Sequence, residues 1–312
     1  MYHSHLLINV GDNPDRPDWN ACRKWLRNLY RVHQRLCMAF PSAVLEETER
    51  AAAYCRPFDP SEYPLLRHLP DDSGGCDVHH ARSGQNGFLF RIDYPVDTNL
   101  RVRMPVIIVQ SASSEEPDWR GAFGVTRFPV CQREPPIGNA GLFLAGPPQV
   151  KPISFRLDGQ TLNMESPKQK YEIHSGDPLR FRLRANPTRK ENGKRKRIRP
   201  TLKAHVDWLA GKLGEAGEFP GRFSSDEMHH ENIHAFVPGW AYGWRTKYEP
   251  QPEHHAQEKE PEEVEKKAMQ WWSVLFEGTF RVKDPAALKV LLECGIGPGK
   301  AFGFGLLSIA PA

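Results

Sequence analysis

The order of elements readable in the sequence predicts an α+β protein built from two ferredoxin-like units in tandem, each with an antiparallel sheet. Three observations carry this. A chain of 312 residues is the length of two ordinary domains. The first half reads strand–helix–strand–strand, and the second reads strand–helix–strand–helix–strand. That order fits two split βαβ units better than one parallel sheet. The units are expected over residues 1–150 and 151–312.

The elements follow from spacing. Residues 5–10 read as a strand ending at the turn Asn9-Val10-Gly11-Asp12-Asn13-Pro14. From Asp18 to Phe40, apolar Cys22, Leu26, Leu29, Val32, Leu36 and Phe40 recur every three or four residues, which is helix spacing, and Pro41 stops it. Gly87–Tyr94 and Val102–Gln110 are strand-like and close enough to pair as a hairpin. Arg56–Gln85, rich in Pro, Gly and Asp, reads as loop. In the second half, Leu179–Ala185 alternates Arg180, Arg182 and Arg184 with Phe181 and Leu183, a strand pattern. Thr201–Leu213 is helical, with Leu202, Val206, Leu209 and Leu213 on one stripe. A strand over Ser273–Val282, a helix over Pro285–Cys294 and a strand over Gly303–Ile309 complete it. Residues 251–267 are charged without apolar period and are expected to be an exposed, mobile insertion.

Composition sets the compartment. Apolar residues make up 39%, enough for a core in each unit, and no stretch approaches the ~18 uninterrupted apolar residues of a membrane span. The start, Met1-Tyr2-His3-Ser4-His5, lacks the basic end and long apolar run of a secretory signal. A cytoplasmic protein is expected. Its six scattered cysteines then read as free thiols. A net charge of +4 is too small to announce a polyanion binder, so the distribution of charge matters more.

The first helix carries the candidate chemistry. At 100° per residue, Arg23, Lys24, Arg27, Arg31 and Arg35 spread opposite the apolar side. Tyr30 falls between the faces, and His33 stands one turn away, as a neighbour. An imidazole and a phenol beside cations suit RNA cleavage by the substrate's own 2′-hydroxyl. A base takes the 2′-OH proton, an acid helps the leaving 5′-oxygen, and cations steady the phosphorane. Spacing alone leaves open that His33 is a half-buried helix histidine and that Tyr30 merely packs.

Two further stretches are distinctive. Ten Lys or Arg lie between positions 180 and 199. The segment Asn186–Arg197 reads as a cationic hairpin turning at Asn192-Gly193, a ribbon suited to the phosphates of an RNA stem. Gly295–Leu307 holds five glycines in eleven residues around Lys300, which leaves backbone N–H groups free to approach an anion. It lacks the Gly-Lys-Ser/Thr order of a nucleotide-binding loop. The pairs His79-His80, beside Cys76 and Asp77, and His229-His230, with His234, lack the ligand spacing of a closed zinc site. No metal and no cofactor are expected.

Taken together, these stretches resemble the CasE family, the repeat-processing endoribonucleases of type I-E CRISPR Cascade. The resemblance lies in Tyr2–Asn9, Asn28–Leu36, Pro117-Asp118-Trp119, Phe181–Thr188, Val274–Gly278 and Gly299-Lys300-Ala301-Phe302-Gly303-Phe304-Gly305-Leu306-Leu307, in family order. It implies two ferredoxin-like domains of the RAMP type and metal-independent, single-turnover cleavage at the 3′ base of a repeat stem-loop. The products would carry 2′,3′-cyclic phosphate and 5′-hydroxyl ends, and the protein would stay in Cascade with the other subunits and the crRNA. His33 becomes the general base or acid and Tyr30 its partner. RNA would be held by Arg23, Arg27, Arg31, Arg35, Arg182, Arg184, Arg189, Lys190, Lys194, Arg195, Lys196, Arg197 and Lys300. Arg245 and Lys247 fall where the family places further cations.

This sequence departs from some relatives in having Gln34 and Met38 where they carry basic residues, and its loops near 56–85 and 218–270 are longer. Two other readings follow from the same residues. One is a Cascade subunit that binds repeat RNA without cutting it. The other is a metal-dependent nuclease, which would need clustered carboxylates that the sequence does not offer.

Overall fold

The computed structural model describes residues 1–11, 22, 25–37, 39–40, 87–94, 105–112, 116–123, 141–144, 147–246 and 266–312. The first sheet is built around β1 (Tyr2–Gly11). Helix α1 (Leu29–Cys37) follows, then β2 (Phe88–Asp93), β3 (Val106–Ser111), the single turn α2 (Trp119–Ala122), β4 (Gly141–Leu144) and β5 (Gln149–Pro152). The strand order is β2-β3-β1-β4, with β5 also on β1, and all pairs are antiparallel. Period-two burial explains the packing. Leu6 and Ile8, Phe90 and Ile92, and Ile107 and Val109 form a core with Leu29, Val32 and Leu36 of α1. Trp119 ties α2 to β1, its indole donating to Ser4 Oγ at 2.8 Å.

The next segment is a small antiparallel sheet, β6 (Ser154–Asp158), β7 (Thr161–Ser166) and β8 (Gln169–Ile173), which the sequence did not announce. Its outer side chains are mostly polar; Phe155, Leu162 and Ile173 are buried in the second core and Met164 packs against it. The second half continues with β9 (Pro178–Ala185), β10 (Thr188–Glu191), β11 (Lys194–Arg197), α3 (Leu202–Leu213), β12 (Gly217–Glu218), β13 (Ile233–Thr246) and β14 (Lys266–Val282). Helix α4 (Pro285–Cys294), a 3-10 turn at Lys300–Phe302 and β15 (Leu307–Pro311) complete the chain. Strand β14 runs between β9 on one side and β13 and β12 on the other, and β15 closes the far edge of β9. The helices begin as their sequences dictate. Thr201 Oγ1 accepts from Ala204 N at 3.3 Å, and Asp284 accepts from Ala286 N at 2.8 Å ahead of Pro285.

The architecture is a mostly-β α+β protein with several antiparallel sheets. Several expected boundaries move. The expected helix is interrupted at Arg27-Asn28: Cys22, Trp25 and Leu26 are helical, Asn28 commits its backbone to a parallel bridge with Tyr242 of β13, and α1 runs from Leu29. Strand β13 occupies part of the stretch expected to be loop, and β14 begins at Lys266, inside the expected mobile insertion. The last strand starts at Leu307, since Gly303 and Gly305 hold φ of 79° and 90° and cannot extend. The expected loop at 56–85, residues 18–21, 23, 24 and 38 of the expected helix, and residues 251–265 lie outside the described residues. Among the described residues, no helix is long and apolar enough to cross a membrane.

His3 and His5 project from one face of β1, rings 5.0 Å apart, into a cavity of about 270 Å³ that Gln110, Lys151 and Tyr171 also line. Burial, then the neighbouring His5, Arg91 and Lys151, lowers the pKa of His3 to about 4, and that of His5 falls for the same first reason. The unfolded chain therefore takes protons that the fold refuses. Up to about 3 kcal/mol of stability should be present above pH 6.5 and lost as pH falls towards 4. Urea unfolding at pH 7.5 and 4.5 checks this, and His3→Gln should flatten the difference. An unchanged difference in the variant would contradict the assignment.

Candidate active site and nucleic-acid interface

Helix α1 sits where the two halves meet. Its inner stripe packs on the first sheet, while its start rests against β13 and its later turns against the Lys300–Phe302 turn. Close approach requires Gly243. A Cβ there would lie 2.9 Å from the Trp271 ring and 3.4 Å from the Tyr30 backbone nitrogen. Tyr30 is half-buried at this seam. His33 is 7% exposed, its ring centroid 5.8 Å from Phe88 and 5.9 Å from Phe302. Phe302 in turn stacks on Trp271 at 4.4 Å and 30°. The imidazole thus stands in an aromatic setting contributed by both halves.

The glycine-rich segment makes that setting possible. Gly303 has a φ of 79°, and a Cβ would meet the Phe90 ring at 3.0 Å. The chain can therefore tuck under the first sheet, and Phe304 is fully buried in the first core although it belongs to the second half. Lys300 is partly exposed in the turn, two residues from Phe302.

An ionic seam locks the halves together. Arg91 of β2 makes a bidentate pair with Asp93, at 2.9 and 3.0 Å. Its Nη1 donates to the Arg182 carbonyl and Ser308 Oγ, each at 3.0 Å, and to the Leu306 carbonyl at 3.3 Å. Arg182 lies 3.0 Å from Glu277 and 3.6 Å from Asp93. Arg184 lines the same seam, and burial pushes its guanidinium below the ordinary arginine value. The charged pair Arg91 and Asp93 inside the apolar strand Phe88-Leu89-Phe90-Arg91-Ile92-Asp93 is the sequence signal for this seam.

The helix cations divide. Arg27 is exposed beside the seam. Arg35 is only 1% exposed, with Nη1 donating to the Ala122 carbonyl at 2.9 Å and the guanidinium 6.0 Å from the Phe123 ring. It braces α1 against α2 and does not join an outward bank of cations. The Arg31 side chain and all of Arg23 lie outside the described residues, as do the Arg245 side chain and Lys247.

The cationic ribbon forms as the sequence requires. Strands β10 and β11 pair antiparallel, and the turn has positive φ at Asn192 (50°) and Gly193 (76°), the two-residue turn that Asn-Gly favours. Lys190, Lys194 and Arg195 project into solvent. Arg189 and Lys196 both bond Glu191, the latter at 2.8 Å. Arg197 roots the ribbon, its guanidinium 5.2 Å from the Trp240 ring and 4.8 Å from that of Trp272. These tryptophans were not singled out in the sequence.

Among the described residues, no group of three or more His, Cys, Asp or Glu could hold a metal ion. His230 packs against Phe219 and Phe223, while His229 and His234 are exposed; the pair His79-His80 lies outside the described residues.

Residues 74–311 match the family model described as CRISPR associated protein. The chain is 35% identical over 140 residues to CRISPR-associated endoribonuclease Cse3 of Thermus thermophilus, covering 45% of this chain and 58% of that protein. It is 30% identical over 154 residues to CRISPR system Cascade subunit CasE of Escherichia coli, covering 45% of this chain and 62% of that one. It therefore spans about three fifths of the length of these curated relatives. A solved structure of CRISPR endoribonuclease Cse3 bound to 19 nt RNA has the same fold, with a TM-score of 0.50 and 24% identity over 100% of both chains. The matched span and the shared fold together place this chain in the CRISPR associated protein family, alongside Cse3 and CasE.

Proposed function

We propose that this protein is a metal-independent endoribonuclease that binds the stem-loop of CRISPR repeat RNA and cuts at the 3′ base of the stem. The observation that carries the reading is the position of α1. It brings Tyr30 and His33 to the junction of two halves that both supply cations, Arg27 on one side and Lys300 on the other. The names of the relatives Cse3 and CasE point the same way. Each half is read as a ferredoxin-like unit, 1–150 and 151–312, in keeping with the antiparallel order β2-β3-β1-β4.

In this account the substrate supplies the nucleophile. His33 takes the 2′-hydroxyl proton or protonates the leaving 5′-oxygen, and Tyr30 hydrogen-bonds the reacting group. Nearby cations balance the charge that grows on the phosphorane. A cyclic 2′,3′-phosphate and a 5′-hydroxyl result, with no activated water needed. Lys190, Lys194 and Arg195 of the exposed ribbon grip the stem, with Arg189, Lys196 and Arg197 setting its shape. The bound product stays with the protein in a type I-E Cascade, in the cytoplasm.

Incubating the protein with a repeat hairpin in excess EDTA tests the reading. Cleavage at one site, leaving a cyclic phosphate, is the expected result. Cleavage only after magnesium is restored would contradict it. Tight binding without cleavage would support a binding-only Cascade subunit, a reading favoured by the burial of His33 between Phe88 and Phe302.

A further inference from the structure

A cleft of about 130 Å³ opens between the start of α1 and β13. Arg27 stands at its wall with Tyr94, Arg184, Tyr242 and Phe302, and Leu29, the first residue of α1, also lines it. It adjoins the candidate catalytic pair. Tyr30 follows Arg27 by three residues, and Phe302 is the ring that lies 5.9 Å from His33.

Among the described residues, three guanidiniums share two carboxylates at the seam beside this cleft. Asp93 is held by both nitrogens of the Arg91 fork, and Glu277 pairs with Arg182. Arg184 is the third guanidinium; Tyr94 and Asp93 favour its charge through space, but neither carboxylate pairs with it directly. Its Nε is buried without a hydrogen-bond partner, and no ion pair forms at Arg184 among the described residues. A buried guanidinium Nε with no hydrogen-bond partner is costly to the fold, and an anion bound in the cleft relieves that cost. The positive end of α1 and the exposed Arg27 favour the same occupant.

We infer that this cleft holds one backbone phosphate of the RNA, next to the scissile linkage, with Arg184 as its buried anchor and Arg27 at its rim. The inference rests on the RNA reading above and deepens it. Arg184 is here a positioning residue. It fixes the strand so that the neighbouring phosphate lies against Tyr30 and His33, and it touches no reacting atom. Guanidinium forks from the two halves suit the several oxygens of a phosphodiester better than a single point charge would.

Neutral methylphosphonate linkages placed one at a time around the cut in a repeat hairpin test this, with binding and single-turnover rate measured separately. One linkage within two nucleotides of the cut should weaken the wild-type protein by roughly 10- to 100-fold, the worth of a charge-assisted pair of hydrogen bonds. Arg184→Met, which keeps an unbranched apolar stem and removes the guanidinium charge, should be insensitive at that linkage alone. Arg27→Met, at an exposed position, should show the same selective loss of sensitivity even if the Arg184 variant fails to fold. Identical profiles in wild type and variants would overturn the subsite. Selective loss in binding with no cleavage by any protein would keep the subsite and overturn the catalytic reading. Failure of the hairpin to bind at all would overturn both.

Discussion

His33→Ala is expected to lower the single-turnover cleavage rate by at least ~100-fold while leaving hairpin affinity nearly unchanged. A positioned acid or base contributes roughly 10²–10⁴ in rate, whereas one neutral ring adds little to a grip made by many cations. The residue is also packed between Phe88 and Phe302, so its truncation should cost about 1–3 kcal/mol of stability. The two consequences separate the chemical role from the structural one. If His33 only fills space, the variant unfolds at lower denaturant yet the folded fraction cuts at the wild-type rate. If it moves a proton, the rate at saturating protein collapses well below the midpoint of unfolding. Tyr30→Phe keeps the half-buried ring and removes only the hydroxyl, so it should lose less.

Much of this fold was legible where local chemistry and tertiary packing agree. The alternation in Leu179–Ala185 became β9, with Leu179, Phe181, Leu183 and Ala185 buried. Asn192-Gly193 made the expected tight turn, and Thr201 and Asp284 capped the expected helices. The misses have physical reasons. Strands β5 to β8 are short and mostly polar on their outer side, so neither period nor propensity marks them. Strand β13 contains Pro238, Gly239 and Gly243, which read as breakers. Its long pairing with β14 supplies the order, and Gly243 serves the approach of α1.

The site was less legible than the fold because its parts converge from far along the chain. The pairing of Tyr30 with His33 is local and could be read from a three-residue spacing. The surroundings of His33 depend on Phe88 and on Phe302, which no spacing connects to it. Arg35 looked like a surface cation on the helix wheel. The carbonyl of Ala122, 87 positions away, draws it inward. Arg184 looked like one more basic residue in a run. Its distinction appears only in the fold, where its Nε is buried without a hydrogen bond while Asp93 and Glu277 pair with Arg91 and Arg182.

The central claim is that the RNA cuts itself, with Tyr30 and His33 managing the protons. One substitution in the substrate addresses it without altering the protein. Replacing the ribose just 5′ of the scissile phosphate by deoxyribose removes the nucleophile and leaves every phosphate in place. Binding should survive, because one 2′-hydroxyl is a small part of a surface dominated by phosphates. The measurement is cleavage of matched ribose and deoxy hairpins in EDTA, with mass spectrometry of the upstream fragment. The account predicts no cutting of the deoxy hairpin and a 2′,3′-cyclic phosphate on the ribose product. Efficient cutting of the deoxy hairpin, or a product without the cyclic phosphate at the earliest time points, would contradict it.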